Sequence, residues 1–339
     1  MLAYGELVIR LERFGIAGFG GRGRLIARKL AGSGFDVVGV YDSNPAQLAN
    51  AQFRTFSDID DLIKLKPDVL VVTTWPSSHA TIAEKALEQG LDVFVEKPMG
   101  GDLAQSLQIV QAQRRASRLV VVGYVERLNP AIMKLREIAD PLTEVVRSRE
   151  IRIGLTPPTG HEIGVLLDLG SHGIDIAYHL FAKEPRVRSA ILSTEGHSHL
   201  EYECIIELEF GKTRSCVEAR YGNIRRRRLE LDTEHEYYEV TYTPASLKIG
   251  FPPPKLRTRP RNFEDLEQLS KNVETTFELP RKEPINAMLQ LLAESVRKGS
   301  VIEPLCNAEQ ALVTARAIDE AKKRYAQMSQ GSCSPPNPE

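Results

Sequence analysis

The sequence predicts an α/β chain in two parts. A doubly wound parallel sheet comes first, and an α+β part built on a large, mostly antiparallel open sheet follows. Three observations predict this. Short apolar runs alternate with helix-length segments from Arg13 to Gly123. Val69–Val72 is apolar at every position, as a strand buried on both faces must be. Beyond Gly123 the runs become alternating and turn-linked, the pattern of a sheet with one face exposed.

The first strands are expected at Phe14–Gly18, Phe35–Tyr41, Asp68–Thr74, Asp92–Glu96 and Leu119–Gly123, with helices at Arg22–Leu30, Ser57–Leu65, His79–Gln89 and Leu103–Ala116. Strands and helices in that alternation fold as a parallel sheet covered on both faces. The second part opens with a helix (Pro130–Ile138), a strand (Glu144–Ile153), a turn-rich Leu155–Gly160 and a long helix (Gly164–Phe181). Strands at Val187–Thr194, Glu203–Phe210, Ser215–Tyr221, Arg227–Asp232 and Glu236–Tyr242 follow, then a Pro-rich loop (Phe251–Arg261) and helices at Ile285–Lys298 and Ala308–Ala326. The expected division is residues 1–125, residues 126–328 and a disordered tail over 329–339, in keeping with about two domains for 339 residues.

Composition narrows the function. Hydrophobic residues at 42% and charged residues at 26% describe a chain with a real core. Lys and Arg total 44 against 45 acidic residues, a net charge of −1 that offers no pull toward nucleic acid or an anionic membrane. No run approaches the roughly 18 apolar residues of a membrane span. Cys204, Cys216, Cys306 and Cys333 are far apart, which argues against a zinc site or a secreted disulfide framework. A cytoplasmic protein without a metal is expected.

Gly18-Phe19-Gly20-Gly21-Arg22-Gly23 follows the first strand and opens a helix, and the second strand ends in Asp42. In that context G-x-G-x-x-G is a dinucleotide loop: glycines let the backbone approach a pyrophosphate, and helix N-terminal amides meet its charge. Asp42 can accept from both ribose hydroxyls and would repel a 2′-phosphate, favouring NAD over NADP; Arg22 and Arg24 are the groups that could dilute this preference. The fourth strand ends Glu96-Lys97-Pro98 at the sheet edge where ligands sit, so Lys97 can donate to a substrate oxygen and suits a developing alkoxide. A surface lysine before a turn proline is the competing reading.

Asp168, His172, Asp175 and His179 fall within roughly 60° of one another at 100° per residue, a polar stripe on an apolar helix. Such a stripe needs partners. His179 would lie roughly 16 Å from Asp168, so the functional pair is Asp168 with His172.

The series of glycine loop, strand-end Asp42, Thr74 with His79 downstream, Glu96-Lys97-Pro98 and Asp168-x-x-x-His172 resembles the glucose–fructose oxidoreductase/inositol dehydrogenase/MocA family over nearly the whole chain. The resemblance implies a Rossmann domain followed by an α/β domain whose open sheet mediates assembly, as a homodimer or homotetramer. It also implies a cis bond before Pro98, Lys97 and His172 in the chemistry, and Asp168 orienting the histidine or holding a hydroxyl. Thr74, Trp75, His79 and Glu96 join the expected cofactor wall, with Trp75 standing where the family usually has proline. Val122–Pro130, Arg152-Ile153-Gly154 and the Asp168 helix look like the UDP-N-acetylglucosamine 3-dehydrogenase branch, although Gly173 departs from its pattern.

Arg127 and Asn129 are candidates for sugar or phosphate contact, or are residues of a helix-entry loop. Arg225–Arg228 reads as a sheet edge or subunit contact, since Glu230, Asp232, Glu234 and Glu236 follow it and no wider basic field supports nucleic acid. The expected activity is NAD-dependent oxidation of a secondary alcohol of a sugar or sugar nucleotide. A free polyol or aldose dehydrogenase, an NAD-assisted glycosidase and a non-catalytic dinucleotide-binding protein are the alternatives.

Overall fold

A computed structural model describes residues 12–139, 142, 144–156, 162–194, 199–251, 273–280 and 283–331. The turn expected at Pro157–Gly160, the Pro-rich stretch after Phe251, Cys333 and the tail from residue 332 lie outside the described residues. The chain divides into two compact units. The first runs to Gly123 and takes back Met288–Ala308; the second holds Tyr124–Ala287 and resumes at Glu309.

In the first unit the described strands are β1 (Arg13–Ala17), β2 (Asp36–Tyr41), β3 (Thr55–Phe56), β4 (Val69–Val72), β5 (Asp92–Val95), β6 (Val120–Val122) and β15 (Cys306–Asn307). They form one sheet in the order β15-β6-β5-β4-β1-β2-β3. Every pairing is parallel except β15 on β6. β4 and β5 are buried at all positions, as covering on both faces requires. The helices are α1 (Gly21–Gly32), α2 (Pro45–Leu48), α3 (Ile59–Ile63), α4 (Pro76–Glu88) and α5 (Leu103–Ala116). α4 starts before the expected His79 because Pro76 suits a first helical turn. Asp102 caps α5, accepting from the Gln105 amide at 2.8 Å.

The second unit opens with a 3-10 turn (Val125–Leu128) and α6 (Pro130–Ile138), capped by Asn129. Its described strands are β7 (Arg147–Leu155), β8 (Arg186–Thr194), β9 (Glu201–Phe210), β10 (Thr213–Gly222), β11 (Arg226–Asp232), β12 (Tyr237–Tyr242), β13 (Ala245–Phe251) and β14 (Val273–Glu278). They form the expected mostly antiparallel sheet, ordered β14-β13-β12-β11-β7-β10-β9-β8, with β7 and β10 parallel. Along β10, Ser215, Val217, Ala219 and Tyr221 are buried while Arg214 and Arg220 are exposed, the period-two signature of one covered face. That face carries the apolar core together with Ala131, Ile132 and Leu135 of α6. α8 (Pro284–Lys298), which from Met288 onward belongs to the first unit, and α9 (Ala308–Gly331) follow. α9 continues to Gly331, three residues into the expected tail.

Three expectations change. Arg226–Arg228 do not lie at a sheet edge: β11 sits between β12 and β7 because strand order departs from sequence order. Two strands, β13 and β14, extend the sheet beyond the runs read from the sequence. The single helix expected over Gly164–Phe181 holds a π-helical turn (Leu166–Gly170) before α7 (Ser171–Phe181), so uniform spacing at 100° per residue does not describe it.

Candidate functional site

The predicted residues fall into two groups, one in each unit. In the first, β1 feeds the glycine loop. Gly18 has φ +95°, and a Cβ there would lie 2.6 Å from the Thr74 backbone nitrogen. Gly23 is closed more tightly still: a Cβ would stand 1.9 Å from the Gly18 carbonyl oxygen. The Thr73 hydroxyl fastens this packing, donating to that carbonyl at 2.7 Å. Gly20 and Gly21 differ: beyond the adjoining chain, no atom of the described residues lies within 4 Å of an added Cβ. Gly20 precedes α1 and no side chain caps the helix, so its first amides face an open approach. Tight packing at Gly18 and Gly23 with clearance at Gly20 and Gly21 fits a pyrophosphate at the helix N-terminus.

Asp42 follows β2. Its Oδ2 accepts from the Phe19 amide at 2.7 Å and its Oδ1 from the Asn44 amide at 2.9 Å. The carboxylate therefore orients the loop while keeping further lone pairs for ribose hydroxyls. Arg24 is held away from a free cation's role: it lies over the Phe19 ring and donates to the Gln47 carbonyl at 2.6 Å. Arg22 Nε donates to Glu96 Oε1 at 2.6 Å, joining the first turn of α1 to the end of β5.

Lys97 follows Glu96 and precedes a cis peptide to Pro98, as the resemblance implied. Trp75 is 52% exposed at the entry to α4, beside Thr74, whose hydroxyl accepts from Ser78 at 2.8 Å. His79 behaves otherwise than expected. It is buried, and its ring nitrogens each lie 3.0 Å from a carbonyl, that of Pro98 at Nδ1 and that of Thr74 at Nε2. It clamps two loops together instead of presenting a nitrogen to a ligand, and burial lowers its pKa.

In the second unit the stripe separates. Asp168, within the π-helical turn, accepts from the Tyr221 hydroxyl of β10 at 3.2 Å. His172 packs edge-on to Tyr124, ring centroids 6.0 Å apart. Asp175 receives Arg127 in a forked pair, 2.9 Å from Nε and 2.6 Å from Nη2, with both side chains 1% exposed. His179 accepts from Arg136 at 3.2 Å. Burial, with Arg127 and Arg136 nearby, pushes the His179 pKa down to about 3. Four residues read as one stripe thus serve four different partners.

Arg127 and Asn129 are structural in this geometry. Arg127 also donates to Gln310 at 2.8 Å, and Asn129 donates to the Tyr242 carbonyl at 3.1 Å while capping α6. Sequence reasoning passed over a second buried charge group. Arg152 Nε lies 2.7 Å from Glu150, the Arg152 guanidinium stacks over Tyr242, and Arg227 Nη1 donates to Glu126 at 2.6 Å. Burial raises the Glu150 pKa to about 7. Tyr221 was legible in principle: it occupies the covered parity of β10, and a buried phenol needs an acceptor. Among the described residues no cluster of side chains fit to hold a metal is present, and no helix is long and apolar enough to cross a membrane.

The chain is similar to known proteins in sequence and in fold. Residues 12–124 match the family model GFO_IDH_MocA, described as "Oxidoreductase family, NAD-binding Rossmann fold". A UDP-N-acetylglucosamine 3-dehydrogenase of Acidithiobacillus ferrooxidans is 27% identical over 177 residues, covering 51% of this chain and 55% of that protein. The aligned region is therefore about half the length of that relative. Inositol 2-dehydrogenase 3 of Saccharopolyspora erythraea is 27% identical over 244 residues, covering 63% of this chain and 72% of its own length. The solved structure of UDP-N-acetylglucosamine 3-dehydrogenase GnnA from Acidithiobacillus ferrooxidans matches with a TM-score of 0.81 at 20% identity, over 95% of this chain and 100% of that one.

Proposed function

We propose that the chain is an NAD-dependent dehydrogenase that oxidises a secondary alcohol of a sugar nucleotide of the UDP-N-acetylhexosamine kind. The observation that carries the cofactor reading is the loop itself, closed at Gly18 and Gly23, open at Gly20 and Gly21, and oriented by Asp42. The glycine-loop amides would hold the pyrophosphate and Asp42 the adenosine ribose. NAD, when bound, supplies the hydride acceptor. Similarity to a UDP-N-acetylglucosamine 3-dehydrogenase in both sequence and fold supports the substrate class.

Lys97 stabilises negative charge on the reacting oxygen through its ammonium. His172 accepts the hydroxyl proton in its neutral form, and Asp168 favours the imidazolium that results. Oxidation should therefore fall on the acid side of the histidine pKa. Association of copies through the open face of the second unit's sheet is part of this reading, as the resemblance implies. Similarity to inositol 2-dehydrogenases favours a second reading, a free polyol as substrate.

The test is a thermal-shift and turnover screen with NAD, comparing UDP-N-acetylglucosamine with myo-inositol and free aldoses. A ligand that binds the native state raises apparent stability. Lys97→Ala should keep NAD binding and lose about 10²–10⁴-fold in turnover. Full activity in Lys97→Ala would remove the lysine from the chemistry, and turnover with inositol alone would replace the substrate class.

A further inference from the structure

We propose that Tyr221 is a positioning residue that acts on the reaction through Asp168. The inference rests on the reading of Asp168 and His172 given above. The Tyr221 hydroxyl donates to Asp168 Oδ2 at 3.2 Å across the covered face of the sheet. The phenol is itself held, since Tyr202 on β9 meets its ring edge-on with centroids 6.1 Å apart.

The π-helical turn that carries Asp168 is seated by close contacts. Gly154 on β7 pairs with Tyr221, and a Cβ at Gly154 would stand 2.8 Å from Leu169 Cδ1. A Cβ at Gly170 would stand 3.3 Å from Cys204 Sγ on β9. Turns of this kind widen a helix locally and re-aim side chains, and they recur at functional sites. Here the turn brings a carboxylate onto a buried phenol.

The chemistry follows from one shared acceptor. A donor on Oδ2 stabilises the Asp168 anion and makes it a weaker base, which moderates the support that the proposed function assigns to it for the His172 imidazolium. Burial and the Asp168 charge raise the Tyr221 pKa, so the phenol stays a donor across the neutral range. Among the described residues, the titratable groups facing this pair include Glu201, Cys204 and Tyr202 on β9, with His172 on the same helix and Tyr124 against His172.

Tyr221→Phe keeps the ring and removes only the donor. Asp168 then becomes the stronger base, and the acid limb of oxidation should move up by about half a pH unit. Asp168→Asn should move the limb down. In the double variant the Tyr221 change should have no further effect, because its route is gone. A merely structural tyrosine would lower the rate equally in both backgrounds without moving the limb.

The experiment measures single-turnover hydride transfer to NAD from UDP-N-acetylglucosamine across pH for the wild type, the two single variants and the double variant. The His172 ring titration followed by NMR in the NAD-bound proteins gives the same comparison without turnover. An unmoved limb and an unmoved His172 titration in Tyr221→Phe, or a shift that persists in the Asp168→Asn background, overturns the inference. A wild-type rate and profile in Asp168→Asn instead overturns the assigned role of Asp168.

Discussion

Arg22 and Glu96 form a 2.6 Å ion pair between the first turn of α1 and the end of β5. The arginine is partly exposed and the glutamate buried, so the guanidinium is the charge partner of a carboxylate withdrawn from water. Its second oxygen accepts from the Lys97 amide at 3.2 Å. One carboxylate thereby links the cofactor loop to the backbone of the proposed catalytic lysine.

Replacing that carboxylate should be felt at both ends. Glu96→Gln is expected to lower stability by about 1–2 kcal/mol, the range for a hydrogen bond to a charged group with one exposed partner. NAD affinity and turnover should fall together as Arg22 and Lys97 lose their common anchor. Urea denaturation and NAD titration measure the two effects; unchanged values for both would show the pair to be incidental.

Asp42→Ala should act on selectivity more than on folding. Removing the carboxylate deletes the repulsion toward a 2′-phosphate and also releases the Phe19 amide it now holds. The expected outcome is weaker binding of NAD and a rise of about tenfold or more in the NADP-to-NAD ratio of kcat/KM. A wild type that already prefers NADP strongly would count against the assignment.

His179 gives the stability a definite pH dependence. Its pKa is held near 3 in the folded chain, below the ordinary histidine value of 6.5, and Arg136 donates to its Nε2. Between these values the unfolded chain takes up a proton that the folded chain does not, so stability is lost as pH falls through that window. The slope is at most about 1.4 kcal/mol per pH unit. His179→Gln should flatten that part of the curve in denaturation measured from about pH 7 down to pH 4. A slope identical to the wild type would assign the acid sensitivity elsewhere.

The parts of the fold legible in the sequence were those whose burial is periodic. Val69–Val72, buried throughout, and Leu103–Ala116, capped by Asp102, appear where the residues place them. Two-residue strands such as Thr55–Phe56 and Cys306–Asn307 were not legible, because so short a segment has no period and becomes a strand only through its neighbour. The π-helical turn was hidden for a different reason: its Leu-Leu-Asp-Leu-Gly reads as ordinary helix, and its close contacts with β7 and β9 come from residues distant in the sequence. At the site, residue types were readable and partners were not. Nothing local pairs Arg127 with Asp175, 48 positions away, so a buried internal clamp resembled a substrate contact.

The return of Met288–Ala308 to the first unit sets an order on synthesis. As the chain leaves the ribosome, β1 to β6 emerge as one continuous stretch, yet among the described strands the outer edge of β6 is covered by Cys306–Asn307, which arrives after Tyr124–Ala287 of the second unit has been made. An open strand edge invites pairing with other chains. That edge therefore waits for its partner through the translation of most of the second unit, and a truncated product ending near Gly123 would lack this partner permanently.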